Sequence, residues 1–327
     1  MTNDQASRPA SNRLARAGAT ALGLAATGAG LALASTLLAR DAERRVPADG
    51  DTVNVDGAPL HYVDRGSGRP IVMVHGLGGQ LRNFTHSLVE LLEGEFRVIA
   101  VDRPGSGYSA PGKGASPDIR EQGRRVARFT EELGLERPVV VGHSLGGAVA
   151  LAAALAAPGQ LGGLVLLAPL TQVQEKVPEV FRMLVRDSAL VRKLQARLVG
   201  VPLGRLAQRR ALEIIFGPDP VPADFPVRGG GLLALRPGNM EANSFEISAA
   251  KEDLEDMVPH YGELDLPVSI LFAREDQLLD PDLHGRRTAK AISGATSEEI
   301  EGGHMLPITH PEACARVIRA TYARLAE

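Results

Sequence analysis

Pro138-Val139-Val140-Val141-Gly142-His143-Ser144-Leu145-Gly146-Gly147 is the stretch from which the fold is read. An apolar, β-branched run of strand composition enters Gly-x-Ser-x-Gly, and an Ala/Leu-rich helix follows from about Leu145 to Ala157. A strand that reverses at once into a helix brings backbone segments close together. It forces unusual φ/ψ on the apex residue, whose neighbours must then lack a Cβ. A serine at that apex is lifted out of the sheet at a helix N-terminus, where free N–H groups favour a developing negative charge. Taken alone, the pentapeptide also fits a Gly/Ser turn in a Rossmann-like crossover, so the rest of the chain has to decide.

Upstream, Thr52-Val53-Asn54-Val55 and Leu60-His61-Tyr62-Val63-Asp64 flank Asp56-Gly57 and predict a hairpin. Ile71 to His75 and Phe96 to Val101 are continuous apolar runs, as expected for central strands covered on both faces. A helix is expected between them, over roughly Leu81 to Leu92. Ser116-Pro117-Asp118 predicts the cap of another, with Ile119, Val126, Phe129 and Leu133 on its apolar face. Leu164 to Leu167 is a further buried strand. Such alternation means α/β: a mostly parallel sheet with helices on both faces.

The alternation stops at about Thr171 and resumes with strands at Val268 to Phe272 and Thr296 to Ile300, then a helix from Pro311 to Leu325. Between them the apolar spacing is helical, from Val180, Phe181 and Leu184 through Leu190, Val191, Leu194, Leu198, Leu203 and Leu206 to Leu212, Ile215 and Phe216. Arginines intervene, and Gly229-Gly230-Gly231 is expected to be a flexible break. This segment reads as an insertion capping the sheet. The domain reading is a hydrophobic segment in 1–45, a core in 46–170 and 263–327, and a helical cap in 171–262. Val46 to Gly50 is the expected linker into the core.

The chain has 327 residues, enough for one large domain with an insertion. Its formal charge of −3 gives no reason to expect nucleic acid as a partner. The lone cysteine, Cys314, excludes an intramolecular disulfide and falls in a helical core pattern. Gly18 to Ala39 carries no charge over 22 residues and is closed by Arg40, Asp41, Glu43, Arg44 and Arg45. At about 1.5 Å per residue it is long enough to cross a bilayer. The reading is a membrane anchor through residues 18–39, a single span with the domain exported because the preceding tail is short. A signal peptide cut after Ala32-Leu33-Ala34, and a peripheral Ala-rich helix, are the alternatives.

A serine hydroxyl needs a base within reach to become a nucleophile. Gly302-Gly303-His304-Met305 supplies one in the loop directly after the last strand. An orienting carboxylate must stabilise the imidazolium. Asp276 is the choice, in the loop after Phe272; Glu275 and Asp280 are alternatives. The loop after Leu167 contains no acid. The oxyanion donors are read as the backbone N–H of Leu145, after the serine, and that of Leu77, in His75-Gly76-Leu77-Gly78-Gly79. His75 precedes that turn and reads as structural. Asp102 to Ser109 reads as a structural turn at the rim of the site, since it lacks both phosphate-binding glycine patterns. The eight histidines show no metal-binding spacing, and no cofactor loop is visible.

The ordered set HGLGG (75–79), DRPGSGYS (102–109), GHSLGG (142–147), the strand and loop ending in Asp276, and GGH (302–304) resembles the α/β-hydrolase superfamily over about residues 50–327. The resemblance implies an eight-stranded sheet with a helical cap after the sixth strand. It implies Ser144, Asp276 and His304 as nucleophile, acid and base, and Leu77 and Leu145 as oxyanion donors. Members that open epoxides or remove halides carry aspartate at the elbow, and Ser144 argues against both. Ala273 stands where the acid loop usually has glycine. The function expected is hydrolysis of a small-molecule carboxylic ester with an apolar acyl group, in the manner of an esterase or lipase, with no cofactor. Carbon–carbon bond or lactone hydrolysis on the same triad is the near alternative, and a non-catalytic ligand-binding protein the distant one.

Overall fold

The computed structural model describes residues 9–112, 118–186 and 188–325. In chain order the strands are β1 Asp51–Val55, β2 Ala58–Arg65, β3 Pro70–Val74, β4 Arg97–Val101, β5 Val139–His143, β6 Gly163–Leu167, β7 Val268–Ala273 and β8 Thr296–Ile300. The helices are α1 Pro9–Arg45, α2 Arg82–Thr85, α3 Ile119–Glu132, α4 Leu145–Ala156, α5 Ala189–Gln195, α6 Val201–Phe216, α7 Pro237–Met257, α8 Arg287–Ala291, α9 Leu306–Thr309 and α10 Pro311–Arg324.

The strands form one eight-stranded sheet in the order β1-β2-β4-β3-β5-β6-β7-β8. β2 runs antiparallel to both neighbours, and the pairs from β4 to β8 are parallel. β5, β6 and β7 are buried at every position, so a slip would gain nothing on either face, and only helices covering both sides satisfy them. α3 and α4 pack together, α4 lies against β5 and β6, and α10 lies against β6 and β7. Asp118 caps α3, accepting from Glu121 N–H at 2.7 Å; Ser116 and Pro117 of the expected capping signal lie outside the described residues.

Two expectations are corrected. The helix expected over 81–92 is only α2, and the chain then runs through turns to Glu95. Its backbone bonds mix spacings, from Phe84 N–H to Leu81 C=O and His86 N–H to Arg82 C=O, to Val89 N–H to Phe84 C=O. Leu81, Phe84, Leu88 and Leu92 still reach the core, so the apolar period is satisfied without a regular helix. The second concerns 229–231. Gly229 and Gly230 are buried, and a Cβ on Gly229 would sit 2.3 Å from the Phe225 ring. The Gly229 carbonyl accepts from the Gln80 and Asn83 amides at 3.2 and 3.0 Å. The glycines admit close packing there.

The linker 46–50 is strapped down rather than free. Val46 is fully buried and its carbonyl accepts from the Tyr108 hydroxyl at 2.5 Å, while the Pro47 carbonyl accepts from Arg82 at 2.7 Å. From Ala168 to Pro267 the described chain contains no strand, only α5, α6, α7 and short turns of helix. Ala250, Leu254 and Met257 of α7 join the main core, so this segment is seated on the sheet domain.

Candidate active site

Ser144 occupies the turn between β5 and α4 with φ 55° and ψ −123°. A non-glycine residue held there stores about 1–3 kcal/mol of strain, which the surrounding packing must sustain. The glycines on either side make that packing possible. A Cβ on Gly146 would lie 2.1 Å from the Val74 carbonyl oxygen, and one on Gly142 would lie 2.3 Å from the Gly146 carbonyl oxygen. Ser144 N–H donates to Leu167 C=O at 3.1 Å, and its own carbonyl accepts from Leu170 N–H at 2.9 Å, which ties the apex to the end of β6.

The loop after β8 brings in His304. Its Nδ1 lies 2.7 Å from Asp276 Oδ2, in the loop after β7, and both side chains are buried. The carboxylate accepts, so the proton sits on Nδ1 and Nε2 is left to face the site. Asp276 also accepts the N–H groups of Leu278 and Leu279 at 2.8 and 3.1 Å. Burial alone would raise its pKa; the His304 imidazole and these two donors outweigh burial and hold the carboxyl below its usual value. Glu275 instead accepts Gly302 N–H at 2.6 Å, and Asp280 accepts Asp282 N–H at 2.8 Å. The alternatives for the acid are thus engaged elsewhere. Ala273 is absent from the residues of positive φ, so the acid turn forms there without glycine.

Ser144 and His304 line the same two cavities, of about 240 and 100 Å³. Among the described residues Ser144 Oγ forms no hydrogen bond, as is common before a substrate draws the groups together. Gly76 lies against the serine: a Cβ on it would be 2.8 Å from Ser144 Cβ. Leu77 lines both cavities, and among the described residues neither its N–H nor that of Leu145 has a protein acceptor.

Four groups around this site were not picked out from the sequence as functional. Arg103 is fully buried and reaches the Gly76 carbonyl at 2.9 Å and the His75 carbonyl at 2.8 Å. Its guanidinium is held by Glu246 of α7 through contacts of 2.7 and 3.1 Å. Asn243, one turn earlier on α7, accepts Gly78 N–H at 3.1 Å. Asp219 accepts Gly303 N–H at 2.9 Å beside His304. Glu246, Asn243 and Asp219 come from the segment between β6 and β7, so it braces both the 76–79 loop and the histidine loop. The sequence signal was the arginine of DRPGSGYS, but its partner lies 143 residues away.

The neighbouring histidines are neutral. Burial, aided by the Arg103 charge, pushes His75 well below its usual pKa, and His75 Nε2 accepts Arg103 N–H at 3.0 Å. Burial and the nearby His304 bring His143 down to about 3. Its ring lies 5.0 Å from that of His304 and donates from Nε2 to the His304 carbonyl at 2.9 Å. It positions His304 without setting a second positive charge beside it.

A family model for the alpha/beta hydrolase fold matches residues 69–311, and the chain belongs to that family. It is 28% identical over 276 residues to the 2-hydroxy-6-oxononadienedioate/2-hydroxy-6-oxononatrienedioate hydrolase of Cupriavidus pinatubonensis, covering 83% of this chain and 91% of that one. A local match of 38% identity over 117 residues links it to the dihydrolipoyllysine-residue acetyltransferase component of the acetoin cleaving system of Cupriavidus necator, 36% of this chain and 31% of that longer protein. Among solved structures, the enol-lactonase of Burkholderia xenovorans LB400 superposes with TM-score 0.66 at 23% identity, over 84% of this chain and all of that one, a likeness of fold.

Proposed function

We propose that the chain is a serine hydrolase that cleaves carboxylic esters with an apolar acyl group. The observation that carries this is the site's plan: a strained serine between two cavities, facing a histidine bonded to a buried carboxylate. Ser144 Oγ attacks the ester carbonyl carbon as His304 Nε2 takes its proton. The oxyanion is received by the N–H groups of Leu77 and Leu145, and each such donor contributes about 3–4 kcal/mol in the transition state. Collapse expels the alkoxide, which takes the proton back from His304. Water, deprotonated by the same base, then hydrolyses the acyl-enzyme. No cofactor is needed.

The cavities argue for the substrate class. The larger is walled by residues such as Phe181, Leu184, Leu212, Ile215, Met240 and Met305, and no Asp, Glu, Lys or Arg lines it. A carboxylate buried there without a counter-charge would cost several kcal/mol. The smaller is lined by one charged side chain, Lys251. In this reading the acyl chain takes the larger lobe and the alcohol the smaller. Residues 171–262 act as a cap over a core of 46–170 and 263–327. The helix Ala19–Arg45 is long and apolar enough to cross a membrane by length and composition. It is the proposed attachment that keeps the enzyme at a membrane.

One observation favours a second reading. The Cupriavidus pinatubonensis relative, matched over most of both chains, is by its name a hydrolase of 2-hydroxy-6-oxo dienedioates, which hold no ester bond, so carbon–carbon cleavage is the competing reaction. Its substrate name is that of a diacid, which the uncharged larger lobe does not suit. The test is a panel of p-nitrophenyl esters from C2 to C12 beside a 2-hydroxy-6-oxo-dienoate. The ester reading expects kcat/KM to rise with chain length and exceed that for the dienoate. Faster turnover of the dienoate would transfer the assignment to carbon–carbon cleavage.

A further inference from the structure

α1 carries apolar surface on two opposite sides. Ser35 and Ala42 are buried and Gly28, Leu31 and Leu38 are partly covered; they recur at helical spacing along one stripe. This half of the helix packs against residues 196–200, α6 and the 233–235 turn. At about 100° per residue, Leu22, Leu33 and Leu37 fall on the opposite side. They are 74, 60 and 54% exposed. The hydroxyls of Thr27 and Thr36 donate to the carbonyls of Gly23 and Ala32, so each is satisfied within the helix.

The packing is incompatible with a simple span. From Ala19 to Thr27, ahead of the packed stripe, the helix spans only about 14 Å, half of what the hydrocarbon core requires. A transmembrane α1 would draw residues 196–200, which it packs against, and the flanking α5 and α6 into the bilayer, and these bring Arg192, Lys193, Arg197, Arg205, Arg209 and Arg210, each costly there. The same helices carry exposed Leu190, Leu194 and Leu206. Between residues 176 and 210 the sequence has nine Lys or Arg and two Asp or Glu, in a protein of net charge −3. Apolar side chains among cations suit an interface with anionic headgroups. Met183, in the 179–184 turn, and Leu203, in α6, line the larger cavity and are themselves 54 and 45% exposed, so its rim is apolar and lies partly on a helix that α1 packs against.

We propose that the chain is monotopic: α1 and the outer faces of α5 and α6 enter one anionic phospholipid leaflet together, and the cavity takes its acyl substrate from that leaflet. The substrate clause rests on the hydrolase reading; the docking does not, and it is measured on Ser144→Ala protein as well. The full chain is floated with vesicles of phosphatidylcholine containing one quarter phosphatidylglycerol, and with phosphatidylcholine alone. Binding to the anionic vesicles is expected to be at least ten-fold stronger and to fall in 0.5 M salt. The triple variant Leu190→Glu, Leu194→Glu, Leu206→Glu should lose about ten-fold of it. A circular dichroism spectrum and a denaturant midpoint matching the parent's report that the variant is folded; should it not be, Leu190→Gln with Leu206→Gln replaces it, with a smaller loss in the same direction. Topology is read on Asn12→Cys, Cys314 being buried and silent. A membrane-impermeant maleimide should label position 12 from the side on which the domain lies, without detergent. Labelling only after permeabilisation, or cap variants that bind as the parent does, would overturn the proposal. Docking without ester turnover would leave docking standing and remove the hydrolase reading alone.

Discussion

At the residue scale the account rests on a short hydrogen bond. Asp276 takes His304 Nδ1 at 2.7 Å, fixing the tautomer that leaves Nε2 for the serine. Asp276→Asn keeps the shape and offers the wrong group to Nδ1. It should lower kcat by about 10³–10⁴ with KM within a few-fold, measured by steady-state kinetics on the preferred ester. Equal loss from Glu275→Gln would instead make the brace on the histidine loop the controlling feature. Ser144, His304 and the loops of Leu77 and Leu145 were legible because each stands beside a glycine turn at a strand end, where the chain's own punctuation shows. Arg103 was legible as a motif letter only. What it does depends on Glu246, and no local pattern in α7 announces a buried acid.

Among the elements, α7 does the most to join the segment after β6 to the site. It holds Gly78 through Asn243, and Gly76 through the Glu246–Arg103 pair. Breaking a buried ion pair on one side typically costs about 3–5 kcal/mol, because the other charge is stranded. Glu246→Leu should therefore lower the denaturant midpoint steeply. Arg103→Met with Glu246→Leu should restore much of the stability but not the turnover, since the carbonyls of His75 and Gly76 lose their clamp. Full recovery of kcat in the double variant would mean that the pair serves stability alone. The central strands were legible from apolar runs, and β8, though mostly polar, matches its expected limits. The helix expected over 81–92 was not, because an apolar period of three to four residues is also met by successive turns. The triple glycine was misjudged for a related reason: composition alone does not distinguish a loose hinge from a place where Phe225 and Gln80 press close.

For the whole molecule the buried histidines set a pH window. Desolvation lowers His75, brings His143 to about 3 and His284 to about 4, against about 6.5 in the unfolded chain. A folded pKa below the unfolded one means that stability is full above about pH 6.5 and is lost as pH falls toward the folded values. Each such group contributes on the order of 1 kcal/mol per pH unit within that window. His61 acts in the opposite sense: burial opposes, but its bond to Asp102 prevails and raises it. Net destabilisation is expected between pH 6.5 and 4.5 in urea melts, and His284→Gln should make the slope shallower by about one proton. A flat profile would mean that these rings stay protonated when buried. At this scale the order of motifs made the sheet readable from sequence. The way α1 lies along residues 196–200 and α6 was not, because a run of Ala, Leu and Gly has the same composition whether it crosses a bilayer or rests on one.

The central claim, that Ser144 is an activated nucleophile, is tested most directly by labelling the purified full chain with a fluorophosphonate and locating the adduct by mass spectrometry, with Ser144→Ala alongside. The account predicts one adduct, on Ser144, absent in the variant and slowed at least about 10³-fold by His304→Ala. A folded protein that takes no label, or takes it on another residue, would contradict it.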